Sequence, residues 1–401
     1  MTSFTRWLRT LGPGIITAAL VFGPSKMTIT SKLGAEYGYS LLWIVVLAIF
    51  FMGVFAAMGA RVGTALDKSL LSAIREKWGK PVAIVIGVGV FLVTTSFQAG
   101  NSIGVGISVA EATGTKAATW VVVFNLVGIG LLFFGSFYKM LEKLMIALVA
   151  LMLFAFITTL FFTKPDIAAI VTSVKPVLPA GSLPLVIAFM ASCFSIVGAF
   201  YQSYLVQERV KASGGKPGNY RDTTTMGILI LGIMSAVVLI CAAAVLYPQH
   251  IKVASASEMA RALEPLFGKY ASALFLTGLF GASFSSLVGN ATVGGALLSD
   301  ALGKGSNLGS GTVKVCIALV MVIGATVAII FGKLPLELIV FAQSVTIFLV
   351  PFIGIALYAV ANDAKRMGAL VNKNPVKIIG ALGLLLIVAL ALSNAYDLFI
   401  K

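Results

Sequence analysis

Lys26 is the residue most able to do chemistry, because it follows Gly23-Pro24-Ser25 in the middle of an otherwise apolar stretch, Leu11 to Gly38. Mostly apolar or small residues run from Pro13 to Phe22, and beyond the interruption a second half-helix is expected to continue to about Tyr37. Proline has no amide hydrogen to give the preceding turn, and the glycine before it tolerates unusual dihedrals, so backbone groups are left free at the break. At membrane depth such groups are tolerated only where they are buried in protein or line a watery cavity. A second interruption lies further on. The apolar run Leu185 to Phe194 gives way at Ser195-Ile196-Val197-Gly198-Ala199 to Tyr201-Gln202-Ser203, then continues to Glu208. Paired broken helices of this kind hold substrates in transporters.

After each break the first amide groups of the new half-helix point into the gap with roughly half a positive charge. Ser25 and Lys26 sit at the first start and Gly198 and Ala199 at the second, with the Ser195 hydroxyl close by. These groups are largely donors, which favour an anion. A lysine at the bilayer centre costs about 2.5 to 3.5 kcal/mol on insertion scales. Snorkelling to an interface is hard, since Lys26 lies about fourteen residues, roughly 21 Å of helix, from the start of its span. Pairing is equally hard, because Glu36, Glu111, Glu142, Glu208, Asp300, Glu337 and Asp397 all fall towards span ends. Lys26 is therefore expected to face a substrate cavity. The missing carboxylates also argue against a metal, for which only backbone carbonyls and a hydroxyl are on offer at the breaks.

The elements that must position these residues follow from composition. Of 401 residues 59% are hydrophobic and 11% charged, which is the balance of a polytopic membrane protein. Eleven apolar segments long enough to cross a bilayer are expected at about 12–36, 41–62, 82–110, 118–137, 140–163, 183–208, 224–247, 270–300, 313–332, 335–360 and 376–396. The fold class is all-α, in a single transmembrane domain, 1–401. The first and sixth spans are interrupted and lie five apart, the trace of an inverted five-plus-five repeat: 12–163, then 183–360, with 376–396 as an additional eleventh helix. The formal charge of +15 would suggest nucleic acid in a soluble protein, but here most basic residues fall in short loops. With the N-terminus in the cytoplasm, 19 lysines and arginines fall inside and 8 outside, Lys26 and Lys32 completing the 29. That bias predicts a multi-pass protein of the plasma (inner) membrane, its N-terminus cytoplasmic and its C-terminus outside. Arg6 and Arg9 precede an apolar run, yet no small-residue cleavage site follows, so no cleaved signal peptide is expected. Cys193, Cys241 and Cys316 are scattered and His250 is the only histidine, so neither a disulfide framework nor a zinc site is expected. No nucleophile, base and orienting group converge either, which speaks against an enzyme and gives no cofactor a place.

The first span resembles that of the natural resistance-associated macrophage protein (NRAMP) family of proton-coupled divalent-metal transporters. Gly12-Pro13-Gly14, Pro24, Gly34, Gly38, Tyr39 and Leu41-Leu42-Trp43 match the family's pattern without a gap, and further likeness runs through Ser203-Tyr204-Leu205-Val206-Gln207-Glu208-Arg209, Ser285-Ser286 and Pro351-Phe352. The resemblance implies the leucine-transporter fold and alternating access. It departs at the functional positions. Gly23-Pro24-Ser25-Lys26 stands against the family's Asp-Pro-Gly-Asn, and Ser195-Ile196-Val197-Gly198 against its Met-Pro-His-Asn; a later histidine of the sixth span falls on Gln202. The acidic pair that the family ties to proton movement appears as Gln98 and Asn101, and a cavity glutamine of the tenth span as Leu349.

Exchanging aspartate for glycine and asparagine for lysine shifts the site by two positive units. Each is worth on the order of 4 kcal/mol at about 4 Å and an effective dielectric near 20. The leading expectation is a secondary transporter of a small anion, an organic carboxylate, held by Gly23, Ser25, Lys26, Ser195, Gly198, Ala199, Tyr201 and Gln202. Gln98, Asn101, Ser285, Ser286 and Gln343 are candidates for the pathway or for coupling. A carboxylate bound beside Lys26 would carry a proton in with it, so protons are favoured as the coupling ion. The rival is sodium, between first-span carbonyls and the Ser285-Ser286 hydroxyls. The alternative substrate is a largely hydrated divalent cation such as magnesium.

Overall fold

Pro24 occupies the first turn of a helix, where its missing amide hydrogen has no partner to lose. The computed structural model describes residues 22–133, 135–173, 175–194, 196–212, 224–331 and 335–400. The expected half-helix before Phe22 and the residue Ser195 lie outside them.

The chain is helical throughout the described residues. The first two helices, α1 (Pro24–Tyr37) and α2 (Leu42–Ala65), are followed by a short amphipathic helix, α3 (Leu70–Trp78). Next come α4 (Lys80–Thr113), α5 (Ala117–Leu131) and α6 (Gly135–Thr163). A surface turn, α7 (Ile167–Thr172), leads to the interrupted pair α8 (Leu183–Cys193) and α9 (Ile196–Ala212), then to α10 (Thr224–Val245). Two short helices, α11 (Ala256–Ala260) and α12 (Glu264–Phe267), precede α13 (Ala271–Ala301) and α14 (Gly311–Ile330). A second pair, α15 (Pro335–Thr346) and α16 (Val350–Ala361), a turn, α17 (Ala364–Met367), and α18 (Asn374–Phe399) complete the chain.

Among the described residues seven helical segments are long and apolar enough to cross a membrane, or eight with the bent pair α15–α16 taken as one span. Each of the eleven expected spans carries helix. Two departures have local causes. The expected 335–360 span is not continuous: α15 and α16 meet at 43°. Pro351 in the first turn of α16 forbids a regular continuation, and Ile347, Phe348 and Leu349 instead donate to the carbonyls three residues back. The expected polar loop after 247 folds into short helices, one begun by a capping box in which Ser255 and Glu258 each bond the other's backbone.

Packing fixes where the breaks lie. The two longest helices, α4 and α13, run along each other, while α1 packs chiefly against α10 and meets α8, α4 and α15 less extensively. Close approach needs small residues, as it does between membrane helices generally. The carbonyls of Ala199 and Ser203 in α9 occupy the space where side chains at Gly59 and Gly63 of α2 would lie. A side chain at Gly104 of α4 would come within 2.5 Å of Pro24 Cβ and of Ser283 Oγ. That contact seats the break of the first span against α4 and α13.

Candidate functional site

The start of α1 is lined with buried polar groups: Ser25, Lys26 and Thr28 are all buried. Gly23 caps the helix with extended backbone, φ −80° and ψ −178°, and makes no side-chain bond. The Met27 amide donates to the Gly23 carbonyl at 3.2 Å, so within the first turn the Ser25 and Lys26 amides are the ones left facing the gap. Lys26 is 4% exposed. Among the described residues no carboxylate pairs with it, and the titratable group that bears on it is Cys193, the last residue of α8. α1 also packs against α8, the helix that ends at the interruption of the sixth span.

Around that lysine the neighbouring helices supply neutral polar groups. Gln343 Nε2 of α15 donates to Ser25 Oγ at 2.9 Å, and its buried Oε1 has no partner. Gly100 lies beside the same hydroxyl, where a Cβ would be 2.8 Å from Ser25 Oγ. Asn101 Nδ2 donates to the Ser286 carbonyl at 3.2 Å. Gly23 sits over that pair, since a Cβ there would lie 2.7 Å from Ser286 Oγ and 3.5 Å from Asn101 Oδ1. Gly23, Ser25, Asn101, Ser286 and Gln343 are therefore one cluster, with Ser285 buried as well.

The remaining predicted residues divide differently. Gln98 is buried among α4, α13 and α14: its Oε1 accepts from Asn290 Nδ2 at 3.2 Å, its stem packs where Gly324 leaves space, and its Nε2 has no partner. Gly198 is exposed at the start of α9 although its neighbours Val197 and Ala199 are buried. Ala199 faces Gly59 instead, and Gln202 packs its Cβ against the same glycine. Tyr201 stacks on Tyr204, ring centroids 6.2 Å apart. These last residues belong to the α2–α9 contact, one turn beyond the break.

Several polar groups here escaped sequence reasoning. Thr28, Thr30 and Ser31 are buried along α1 with hydroxyls that have no partner, and Asn290 donates to the Thr94 carbonyl at 2.6 Å as well as to Gln98. Ser25, Thr28 and Ser31 recur every three residues, a signal for one polar face that was present in the sequence. The position of Asn290 depends on the register of α13 against α4 and carries no such signal.

Among the described residues no group of three or more His, Cys, Asp or Glu side chains is placed to hold a metal ion. The charged group at the break is a cation, and the backbone groups facing the gap from the start of α1 are amides.

Interrupted helices seated against two long ones, with polar groups converging at the interruption, define a secondary transporter of the leucine-transporter fold. The family described as natural resistance-associated macrophage protein-like matches residues 14–397, and the chain belongs to that family. The divalent metal cation transporter MntH of Deinococcus radiodurans is 25% identical over 98% of this chain and 90% of its own length. The protein of the same name from Granulibacter bethesdensis is 24% identical, over 90% of this chain and 82% of its own. In structure the chain resembles the manganese transporter of Eremococcus coleocola, solved in complex with an aromatic bis-isothiourea substituted compound. The TM-score is 0.79 at 17% identity, covering 99% of this chain and 88% of the other. A nucleobase-cation-symport-1 family transporter follows at a TM-score of 0.53 and 12% identity.

Proposed function

We propose that this transporter carries a small anion, an organic carboxylate, by alternating access, with the anion held at the break of the first span. The observation that carries the reading is Lys26, buried at the start of α1 with no carboxylate beside it among the described residues. A carboxylate accepts from the ammonium, from the Ser25 and Lys26 amides and from the Ser25 hydroxyl, whose oxygen already accepts from Gln343. Ser195, Gly198, Ala199, Tyr201 and Gln202 are assigned to the second half of the site, with Gln98, Asn101, Ser285, Ser286 and Gln343 on the pathway. The transport domain spans 1–401 as two repeats and an added helix, its N-terminus on the cytoplasmic side of the plasma membrane. The coupling ion is a proton, carried on Lys26 while the anion is bound.

The second reading is favoured by the relatives, whose names specify divalent metal cations. A hydrated ion such as magnesium would use the Gln343 Oε1 atom, which is buried without a partner. Against it stands Lys26, whose charge opposes a cation at about 4 Å by roughly 4 kcal/mol per unit at an effective dielectric near 20. Proteoliposome uptake decides between them. Labelled carboxylates are expected to accumulate under an inward pH gradient without sodium, and manganese and magnesium are expected neither to accumulate nor to compete. Metal uptake with no carboxylate uptake would overturn the anion, and accumulation driven by a sodium gradient at equal pH would overturn the proton.

A further inference from the structure

Far from the break, the outer face of α2 presents Phe50, Gly53, Ala57, Arg61 and Thr64 at steps of three and four residues, which form one stripe. Together with Val376 and Ile379 of α18 it lines a groove of about 520 Å³. The groove faces out of the bundle. Phe50 on its edge is exposed, and α18 is the outermost span, with only 22% of its apolar stretch buried. The floor is open at Gly53, where an added Cβ would meet nothing within 4 Å.

Arg61 is the single charged residue of the lining. It lies four residues before the end of α2, about 6 Å of helix, which puts it near the edge of the hydrocarbon rather than at its centre. Among the described residues it has no ion pair, and its hydrogen bond there runs from Nε to the Ala57 carbonyl at 3.3 Å, leaving the terminal guanidinium nitrogens as a two-pronged donor. Lys373 and Lys377 flank Val376 in sequence and add positive charge at the same end of α18. The nearby carboxylates do not answer it: Asp67, two residues past α2, is exposed and makes no ion pair with Arg61, Glu76 is bound by Lys68 and Arg366, and Asp363 by Lys77.

We infer that this groove binds one anionic phospholipid, its phosphate on the Arg61 fork and an acyl chain laid over Gly53 and Ala57. Arginine is the residue suited to such a phosphate, since its planar fork matches two oxygens at once and it is more weakly hydrated than lysine. A second copy of the chain fits less well. Neither α2 nor the neighbouring end of α18 carries a carboxylate to meet Arg61, and the one acidic residue of α18, Asp397, lies at its far end.

The test is native mass spectrometry of the full chain released from membranes of mixed phosphatidylglycerol and phosphatidylcholine. Wild type is expected to retain one phosphatidylglycerol in preference to phosphatidylcholine, and Arg61→Gln to reduce that preference roughly tenfold, the size expected for a lost charge-assisted bond. Gly53→Leu, which fills open space without crowding the bundle, is expected to reduce retention of the lipid while leaving Arg61 in place. Equal retention of the two lipids by wild type, or a preference untouched by both variants, overturns the site. So does efficient cross-linking between copies through Gly53→Cys and Ile379→Cys, which would assign the groove to a second copy.

Discussion

The centre of the bundle and its α3 end treat charge in opposite ways. At the α3 end carboxylates are committed to partners: Tyr204 donates to Asp300 Oδ2 at 2.6 Å, Lys77 lies 2.6 Å from Asp363, and Lys68 and Arg366 share Glu76. Arg75 adds bonds to the Asp300 and Ala301 carbonyls at 2.8 Å each, and Gln207 ties α9 to the Leu66 and Lys68 carbonyls. At the centre, by contrast, Lys26 has no carboxylate among the described residues, although buried polar atoms without a partner occur in both regions: on Thr28, Thr30, Ser31, Gln98 and Gln343 at the centre, and on Arg75, Ser299 and Asn372 at the α3 end. The difference therefore lies in how charge is paired, not in how many polar groups go unbonded. At the α3 end charges meet opposite charges, and at the centre a cation lies buried among neutral groups.

Lys26→Ala breaks this contrast most severely. It should lower uptake of the carboxylate at least about a hundredfold, following the roughly 4 kcal/mol that a unit charge is worth at about 4 Å. The folded protein should survive, because no partner is left behind; a monodisperse elution profile with an unchanged melting midpoint checks that, and full uptake by the variant would remove the lysine from the site.

Tyr204→Phe tests the opposite end. It takes the phenol from Asp300 and from the Leu71 amide, which donates to it at 3.3 Å. A buried carboxylate left without its donor costs about 1 to 3 kcal/mol. Thermal unfolding in detergent should show that loss for Tyr204→Phe and a smaller one for the double variant Tyr204→Phe with Asp300→Asn.

Ser25→Ala sharpens the centre. It removes the acceptor of the Gln343 bond and one donor to the ligand, worth about 1 kcal/mol as a typical hydrogen bond. A several-fold rise in KM with little change in melting midpoint is expected. A large stability loss instead would make Ser25 a structural residue like those at the α3 end.

The smallest effect concerns pH. The Lys77 ammonium beside Asp363 holds its carboxyl below the usual carboxylate range. A carboxyl depressed by folding contributes stability above its unfolded value, about 3.9, and that contribution is lost as the pH falls through the folded value. Asp363→Asn should therefore melt slightly below wild type at neutral pH, by no more than about 1 kcal/mol for a pair this near the surface. The two should converge below about pH 4, and a difference that persists in acid would place the contribution elsewhere.

Chain order and hydrophobic run length determined most of this protein. The apolar segments that carry helix, the helix start at Pro24 and, among the described residues, the absence of a carboxylate paired with Lys26 are all legible in the sequence, because proline, glycine and charge act locally or by their absence from long apolar stretches. The matched segments around Pro24 and Ser203 carried the family in the same way. Tertiary structure decided what lies across from what. That Gln343 rather than Leu349 reaches Ser25 and that Asn290 serves Gln98 both depend on how helices distant in the chain are rotated against each other. A rotation of about 100° per residue separates neighbouring positions on a helix, so composition places a residue at a depth but not on a face. The second bend, between α15 and α16, shows the limit: Pro351 was visible, but a proline at that place permits either a kink or a plain helix start. Packing of the two pieces settled it, α15 against α4 and α8 and α16 against α2, α4 and α9.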